Sequence, residues 1–482
     1  MASRFKVIQA ELPPLFHLAA PLIAGELGWN AMSIVDTVMV GRLPHSAIAM
    51  SAASIAQVLF NVFVFGVGGV LLSLDTLISQ AFGAKEIDEA NRWLLHGLVM
   101  AVALSAVLVL FFLGGPLLLR HLPIEPAIVA QAIPAMNGLD YGVLPLMLYF
   151  TLRRYLQAAH HTRPIAFALI SANLINLAGD WLLIFGHAFH LGAFTLSIPA
   201  FGVPGSSWST SFSRLYLMLC MLVALWLADR KHHYGIARSS RRIKLQHLRR
   251  LLQIGGPAAF SILAEIGIFA LVTTLIATLG PLPLAGHEVA LQCASTSFMV
   301  PFAISSATSV RVGHAIGRLR THLTPEERAI AIHAPAAAGW AGIFAGALTM
   351  LIAALCFVSA PAHIARLFTP DKAVIAAAVP LLLVAAGFQF FDGIQINCSG
   401  ALRGAGNTTA PLYTQLVCYW LLGMPVGAWL GLHTHLGVVG LWLGLLTALT
   451  AASLVLMLVW HRTTKSLELE TSSMATPAEK ML

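Results

Sequence analysis

Apolar residues run along this chain in blocks of about twenty or more, separated by short stretches that hold most of the charge. A helix needs about 20 such residues to cross a hydrocarbon core, and a barrel strand only about 10. The first six blocks fall at Pro14 to Val40, Ala47 to Leu74, Trp93 to Leu119, Ala127 to Phe150, Ile165 to Phe185 and Val203 to Ala228. The next six fall at Ile254 to Leu279, Ala285 to Val310, Ala329 to Val358, Ala373 to Asn397, Ala410 to Leu432 and Val438 to Trp460. Backbone inside lipid must satisfy its own hydrogen bonds, so blocks of this length are helices. The pattern predicts an all-α integral membrane protein with twelve transmembrane helices.

Composition agrees. The chain is 58% hydrophobic and 10% charged over 482 residues, with a mean hydropathy of +0.82, too little charge for a water-facing surface. Val7 to Ala20 contains Glu11, Pro13 and Pro14 and merges into the first block without a small-residue cleavage site, so a removable signal peptide is not expected. Cys220, Cys293, Cys356, Cys398 and Cys418 all lie in apolar segments without CxxC spacing and read as packing residues.

Basic residues set the topology, because cytoplasmic connections are enriched in Lys and Arg. Alternate connections carry Arg4 and Lys6; Lys85 and Arg92; Arg153, Arg154 and Arg163; Arg230, Lys231, Arg238, Arg241, Arg242, Lys244, Arg249 and Arg250; Arg311, Arg318, Arg320 and Arg328; Arg403; and Arg462, Lys465 and Lys480. The opposite set holds Arg42, Arg120, Arg366 and Lys372. Both termini are therefore expected in the cytoplasm, and the net charge of +8 is chiefly a topology signal that calls for no nucleic-acid partner. The run from Arg230 to Arg250 is placed to lie against anionic lipid headgroups.

The chain also reads as a duplication. Gln80-Ala81-Phe82-Gly83 after helix 2 is echoed by His314-Ala315-Ile316-Gly317 after helix 8 at an offset of 234 residues, and Pro21 matches Pro257 at 236. Six helices per half give both halves one orientation, related by an axis along the membrane normal, with substrate between them. The expected division is an N-lobe at 1–228, a basic linker at 229–253, a C-lobe at 254–460 and a tail at 461–482. No Gly-Lys pair occurs, which excludes a Walker A loop; energy must come from an ion gradient or a partner.

Charge within the apolar blocks carries the candidate chemistry. Glu26 and Asp36 lie in helix 1, Asp140 in helix 4, Asp180 in helix 5, Arg214 in helix 6, Glu265 in helix 7 and Asp392 in helix 10. Facing lipid, these charges would together cost about 20 kcal/mol, so they should face one another or water. Burial disfavours an ionised carboxylate, which lets one site take either a proton or a metal cation. One charge moving through 100 mV releases about 2.3 kcal/mol, enough for roughly a fiftyfold substrate gradient. Acidic walls with aromatic and methionine neighbours also suit a cationic, partly apolar substrate.

Asn176 and Asp180 share a face of helix 5 and form an N-lobe site with Asp36 if helices 1 and 5 adjoin; otherwise Asp36 sits at the headgroup level. Glu265 and Asp392 are coupling candidates of the C-lobe, and Glu26 and Asp140 are open between transport and structural roles. Arg214 is either a counter-ion or snorkels outward. Asp75 reads as a helix-end charge, and His287 with Glu288 as an interfacial pair that could serve substrate entry or gating. The pairs His160-His161 and His232-His233, and His187 with His190, lack further ligands for a metal site.

Several ordered motifs resemble the multidrug and toxic compound extrusion (MATE) transporters, closest to their NorM-like branch. They are Val35-Asp36-Thr37-Val38-Met39-Val40-Gly41, Leu74-Asp75-Thr76, Gln80-Ala81-Phe82-Gly83-Ala84, Glu265, and Gly286-His287-Glu288-Val289-Ala290. Ser309-Val310-Arg311-Val312-Gly313-His314 and Asp392 followed by Ser399-Gly400-Ala401-Leu402-Arg403-Gly404 complete the set. The resemblance spans essentially the whole chain. It implies two pseudo-symmetric six-helix lobes, a central cleft and antiport of H+ or Na+ against mostly cationic amphipathic drugs. It implies that Glu265 and Asp392 match the C-lobe cation acids, with Na+ possible there, and that Asp36, Asn176 and Asp180 match the N-lobe network of other branches. NorM-like sequences tend to lack the helix 5 aspartate and to carry Gln in place of Glu288, so this chain holds both sets of acids and leaves the coupling ion open.

The resulting expectation is a monomeric multidrug exporter of a bacterial cytoplasmic membrane, not an enzyme, with no cofactor beyond the coupling ion. A lipid-linked precursor flippase would favour a more cationic cavity. An ion channel lacks support from a filter-like repeat. A membrane hydrolase would show a nucleophile motif such as Gly-x-Ser-x-Gly or a His-Glu-x-x-His metal motif, and neither occurs.

Overall fold

The computed structural model describes residues 2–121, 124–191, 194–240 and 242–473. Arg241 and Lys480 lie outside the described residues, as do the side chains of Arg4, Lys6 and His190. The described residues are mainly helical: α1 (Ala2–Val40), α2 (Ser46–Gly68), α3 (Ser73–Gly83), α4 (Ile87–His121), α5 (Pro126–Asp140), α6 (Val143–Ala158), α7 (Arg163–Phe185) and α8 (Val203–His232) come first. After the linker follow α9 (Leu245–Ala277), α10 (Pro281–Arg318), α11 (Pro325–Ala331), α12 (Ala334–Ser359), α13 (Pro361–Arg366), α14 (Lys372–Gly404), α15 (Thr409–Gln415), α16 (Met424–His433) and α17 (Val438–Ser473). One antiparallel hairpin, β1 (His187–Leu191) with β2 (Phe194–Ile198), interrupts the all-α expectation in the connection after α7. In the sequence of β2, Phe194, Leu196 and Ile198 alternate with Thr195 and Ser197, a strand pattern.

Among the described residues eleven helical stretches are long and apolar enough to cross a membrane. The remaining span, helix 4, is divided into α5 and α6 at Tyr141-Gly142. The Gly142 N–H reaches back to Leu139 O at 3.0 Å, a tightened turn, and a Cβ on Gly142 would lie 2.7 Å from Ser211 Oγ and 2.9 Å from Arg214 Cδ. Glycine here lets α8 approach closely. Two other spans change helix type along their length. A 3₁₀ turn at Gly69–Leu72 joins α2 to α3, and a π-helix at Leu416–Gly423 joins α15 to α16.

The chain forms two compact units. The first comprises Met1–Ile23, Asp75–Ile87 and Gln253–Leu482; the second comprises Ala24–Leu74 and Asp88–Leu252. The chain therefore passes between units inside α1, after Ile23, and again inside the first turn of α3, after Leu74.

Within the first unit, small residues rather than bulk hydrophobicity bring helices together, as expected where lipid is as apolar as the core. Gly339, Gly342 and Gly346 line α12 and admit Trp460, Thr308 and Asn397 respectively. Apolar clusters around Trp442 and Trp460 fill the space between α9, α10, α12, α14 and α17. The duplicated motifs meet each other: a Cβ on Gly83 would strike His314, and one on Gly317 would strike Gln80. Since Gln80 corresponds to His314 and Gly83 to Gly317, the contact is reciprocal, as two repeats around a twofold require.

Arg153 and Arg154, taken above as connection residues, lie inside α6 and are only 5% and 8% exposed. Cys220 and Cys356 depart from the packing reading, being half-buried and exposed on lipid-length helices; Cys293, Cys398 and Cys418 are buried.

Candidate functional site

In the second unit, α1, α7 and α8 bring Asp36, Asn176 and Asp180 into one polar region. Thr210 Oγ1 donates to Asp36 Oδ2 at 3.1 Å. Asn176 Nδ2 donates to Ser209 Oγ at 3.3 Å, and that hydroxyl donates to Asn176 O at 2.8 Å. Asp180 has no exposed surface, and neither of its carboxylate oxygens has a hydrogen-bond partner. Asp36 and Asp180 lie within electrostatic reach of each other, and Asp36 Oδ1 is likewise unpartnered. Helices 1 and 5 do adjoin at this site, so Asp36 belongs to the acid network.

Arg214 does not snorkel. It is 2% exposed, its guanidinium lies 4.0 Å above the Phe60 ring, and Asp36 is its electrostatic partner. Cation–π contact with a buried ring holds a positive charge beside the acids without an ion pair at bonding distance. Asp140 ends α5 at the break in helix 4, half-buried, with Oδ1 unpartnered. Glu26 stands apart from the Asp36 network: it pairs with Arg153, and the two side chains are 10% and 6% exposed.

In the first unit, Glu265 on α9 and Asp392 on α14 lie within electrostatic reach of each other. Gln415 Nε2 donates to Glu265 Oε2 at 3.2 Å, and Ser261 donates to the oxygen of the same amide. Asp392 is 8% exposed with Oδ1 unpartnered. Tyr419, 2% exposed on the π-helix, has a hydroxyl without a hydrogen-bond partner in reach of both acids. Sequence reasoning named Glu265 and Asp392 and missed Ser261, Gln415, Tyr419, Ser209 and Thr210; nothing in hydropathy separates those polar side chains from ordinary helix fillers.

The other candidates fall elsewhere. His287 is wholly buried: Trp442 Nε1 donates to its Nδ1 at 3.0 Å, so its Nε2 carries the proton and meets Thr273 Oγ1 at 2.8 Å. Its neighbour Glu288 is exposed. Asp75 is not a surface helix-end charge; it is fully buried, with Arg403 Nε at 3.8 Å from Oδ2. His161 and His232 come within 4.8 Å ring to ring beside Tyr234.

The family profile described as MatE matches residues 21–182 and 257–429, covering both repeats. The chain belongs to the MatE family. It is a multi-pass membrane protein of the NorM-like branch, and similar proteins carry multidrug resistance names. A probable multidrug resistance protein NorM from Geobacillus kaustophilus is 32% identical over 425 residues, spanning 88% of this chain and 89% of that one. The multidrug resistance protein PmpM of Pseudomonas aeruginosa is 30% identical over 440 residues, covering 89% and 86%. Among solved structures, the eukaryotic MATE transporter AtDTX14 superposes with a TM-score of 0.81 at 19% identity over 96% of this chain and all of that one. An outward-facing multidrug resistance MATE transporter gives 0.80 at 17%, over 94% and 96%. These structural likenesses carry the twelve-helix MATE fold.

Proposed function

We propose that this MatE-family chain exports small, mostly cationic amphipathic organic molecules in exchange for H+ or Na+. The observation that carries the reading is a pair of interior acids in each unit, Asp36 with Asp180 and Glu265 with Asp392, with unpartnered carboxylate oxygens at both places. Leaving such oxygens without partners costs free energy, and a bound cation or proton repays it. The multidrug names of relatives about 30% identical over most of the chain support the substrate class. Cation binding from outside displaces the drug, and alternating access resets the site. We place both termini in the cytoplasm and the chain, as a monomer, in a bacterial inner membrane.

Efflux of a fluorescent cationic dye from proteoliposomes under separate proton and sodium gradients tests this. Wild type should move dye under at least one gradient, and Asp36→Asn, Asp180→Asn, Glu265→Gln and Asp392→Asn should each lose most of that flux. Absence of dye movement under either gradient in the wild type rules the exporter out.

A further inference from the structure

The linker that joins α8 to α9 is fastened to α4 at two places, both inside the second unit. At the first, Asn91 Nδ2 donates to Tyr234 O at 2.9 Å, and the Tyr155 hydroxyl of α6 donates to Asn91 Oδ1 at 2.6 Å. His161 and His232 flank the Tyr234 ring there, and Asp229 Oδ1 accepts from the Ile236 N–H at 3.3 Å. At the second, the Lys244 N–H donates to His96 Nε2 at 2.9 Å. Lys244 O in turn accepts from the His247 N–H at 3.1 Å, so the residue held by His96 is the one that opens α9. The His247 ring lies 4.5 Å from that of His96, stacked on it, and 4.6 Å from that of Trp93, with its Nε2 3.5 Å from Glu89 Oε1.

The bond from Asn91 involves no proton that titrates near neutral pH; the bond from Lys244 depends on one. His96 is 1% exposed, and its partners dictate its state. Nδ1 lies 2.7 Å from Arg92 O, which can only accept, so Nδ1 carries the hydrogen and Nε2 keeps a lone pair for Lys244. The ring is therefore neutral. A second proton would turn Nε2 from acceptor into donor and set two N–H groups against each other. The charged and titratable groups around it are Glu89 and Arg92 on α4, Lys244 on the linker and His247 on α9. None supplies a free acceptor, because Glu89 is already shared between Arg92, at 3.3 Å, and His247.

We propose that the linker is a pH-released strap: with His96 neutral it ties the start of α9 to α4, and with His96 protonated, on acidification of the compartment that the linker faces, the tie opens and export slows. Through Leu252 α9 belongs to the second unit, and from Gln253 to the first, so the strap fixes the end by which this helix is held to the second unit. The strap itself stands on its own geometry; its consequence for export rests on the exporter reading. Histidine is the side chain whose charge ordinarily changes between about pH 5 and 8. In an exporter that admits protons, slowing as they accumulate on the receiving side is a negative feedback.

The test uses the full chain. Hydrogen exchange of residues 242–250 is read by mass spectrometry in detergent at about pH 7.5, 6.5 and 5.5, relative to intrinsic rates at each pH. Wild-type protection should fall about three- to tenfold from the highest to the lowest pH, the range for loss of one hydrogen bond. His96→Gln, whose amide oxygen can accept from Lys244 and does not titrate, should keep protection level. His96→Leu should be weakly protected throughout, and His161→Gln, at the other fixing, should keep the wild-type fall in this segment. In proteoliposomes, with pH lowered on both sides together so that the gradient stays constant, dye efflux should slow by a comparable factor in wild type and hold in His96→Gln. Level protection in wild type overturns the proposal, as does a His96→Gln protein that still loses protection on acidification. A strap that opens while efflux holds overturns its role in export. A wild type that moves no dye under either gradient sinks the exporter reading, and exchange alone then decides the strap. If His96→Leu does not fold, His96→Gln decides by the same readouts.

Discussion

Glu26→Gln removes one charge of a pair that is almost wholly enclosed, the side chains of Glu26 and Arg153 being 10% and 6% exposed. At an effective dielectric of about 20, two charges about 4 Å apart attract by about 4 kcal/mol, and solvent screens little of that at such burial. The substitution leaves the Arg153 guanidinium enclosed without its acid, which costs about 3–5 kcal/mol in comparable pairs. Replacing both partners, with Glu26→Gln and Arg153→Met together, removes the stranded charge and should recover much of the loss. The expected coupling in the double-mutant cycle is about 2–3 kcal/mol. The assay is chemical unfolding of the purified full chain in one detergent, followed by tryptophan fluorescence, with dye efflux in parallel. A brace predicts that the double variant is more stable than Glu26→Gln alone and still transports. Additive losses, or a Glu26→Gln protein as stable as wild type, would refute the reasoning; a double variant that is stable but silent in efflux would return Glu26 to the transport machinery.

Three further outcomes follow from the geometry. His287→Leu strands the Trp442 indole N–H and should lower stability by about 1–3 kcal/mol in the same unfolding assay, with efflux by the folded fraction unchanged. Gly393→Ala would place a Cβ 2.5 Å from Gly346 O and 2.8 Å from Met350 Cγ, so α12 and α14 must separate; a loss of about 1–3 kcal/mol should appear in unfolding curves. His161, outside the spans, has its Nε2 hydrogen-bonded with the Tyr234 hydroxyl at 3.0 Å, and burial first, then His232 and Lys231, hold its pKa below the ordinary 6.5. The native state therefore binds fewer protons there than the unfolded chain, and the stability from His161 is full above about pH 6.5 and declines as pH falls. Protection of the amides around Tyr234 against hydrogen exchange, taken relative to their intrinsic rates at each pH, should fall below that pH, and His161→Gln should flatten the dependence.

Hydropathy made the twelve blocks legible, and the cost of a charge in lipid singled out Asp36, Asp180, Glu265 and Asp392, because those two quantities are properties of single segments. What depends on a neighbour was not legible. The charge pattern put Arg153 and Arg154 in a connection, whereas α6 runs on past them and Glu26 draws Arg153 inward. Asp75 looked like a helix-end charge because its partner Arg403 lies far along the chain. His287 looked interfacial because Trp442 and Thr273, which enclose it, are invisible in the local sequence.

The enclosed pairing of α3 with the end of α14 has a consequence for biogenesis. Thr76 donates to Arg403 O across 327 residues of sequence, beside the buried Asp75. At synthesis rates of about 5–20 residues per second, the ribosome takes roughly 16–65 s to make the residues that separate them. For that interval the nascent α3 carries a carboxylate and several hydroxyls with no permanent place, so the first spans should dwell beside the insertion machinery or a membrane chaperone until span ten emerges. Nascent chains arrested before Arg403 are therefore the ones expected to be recognised as unfinished and degraded.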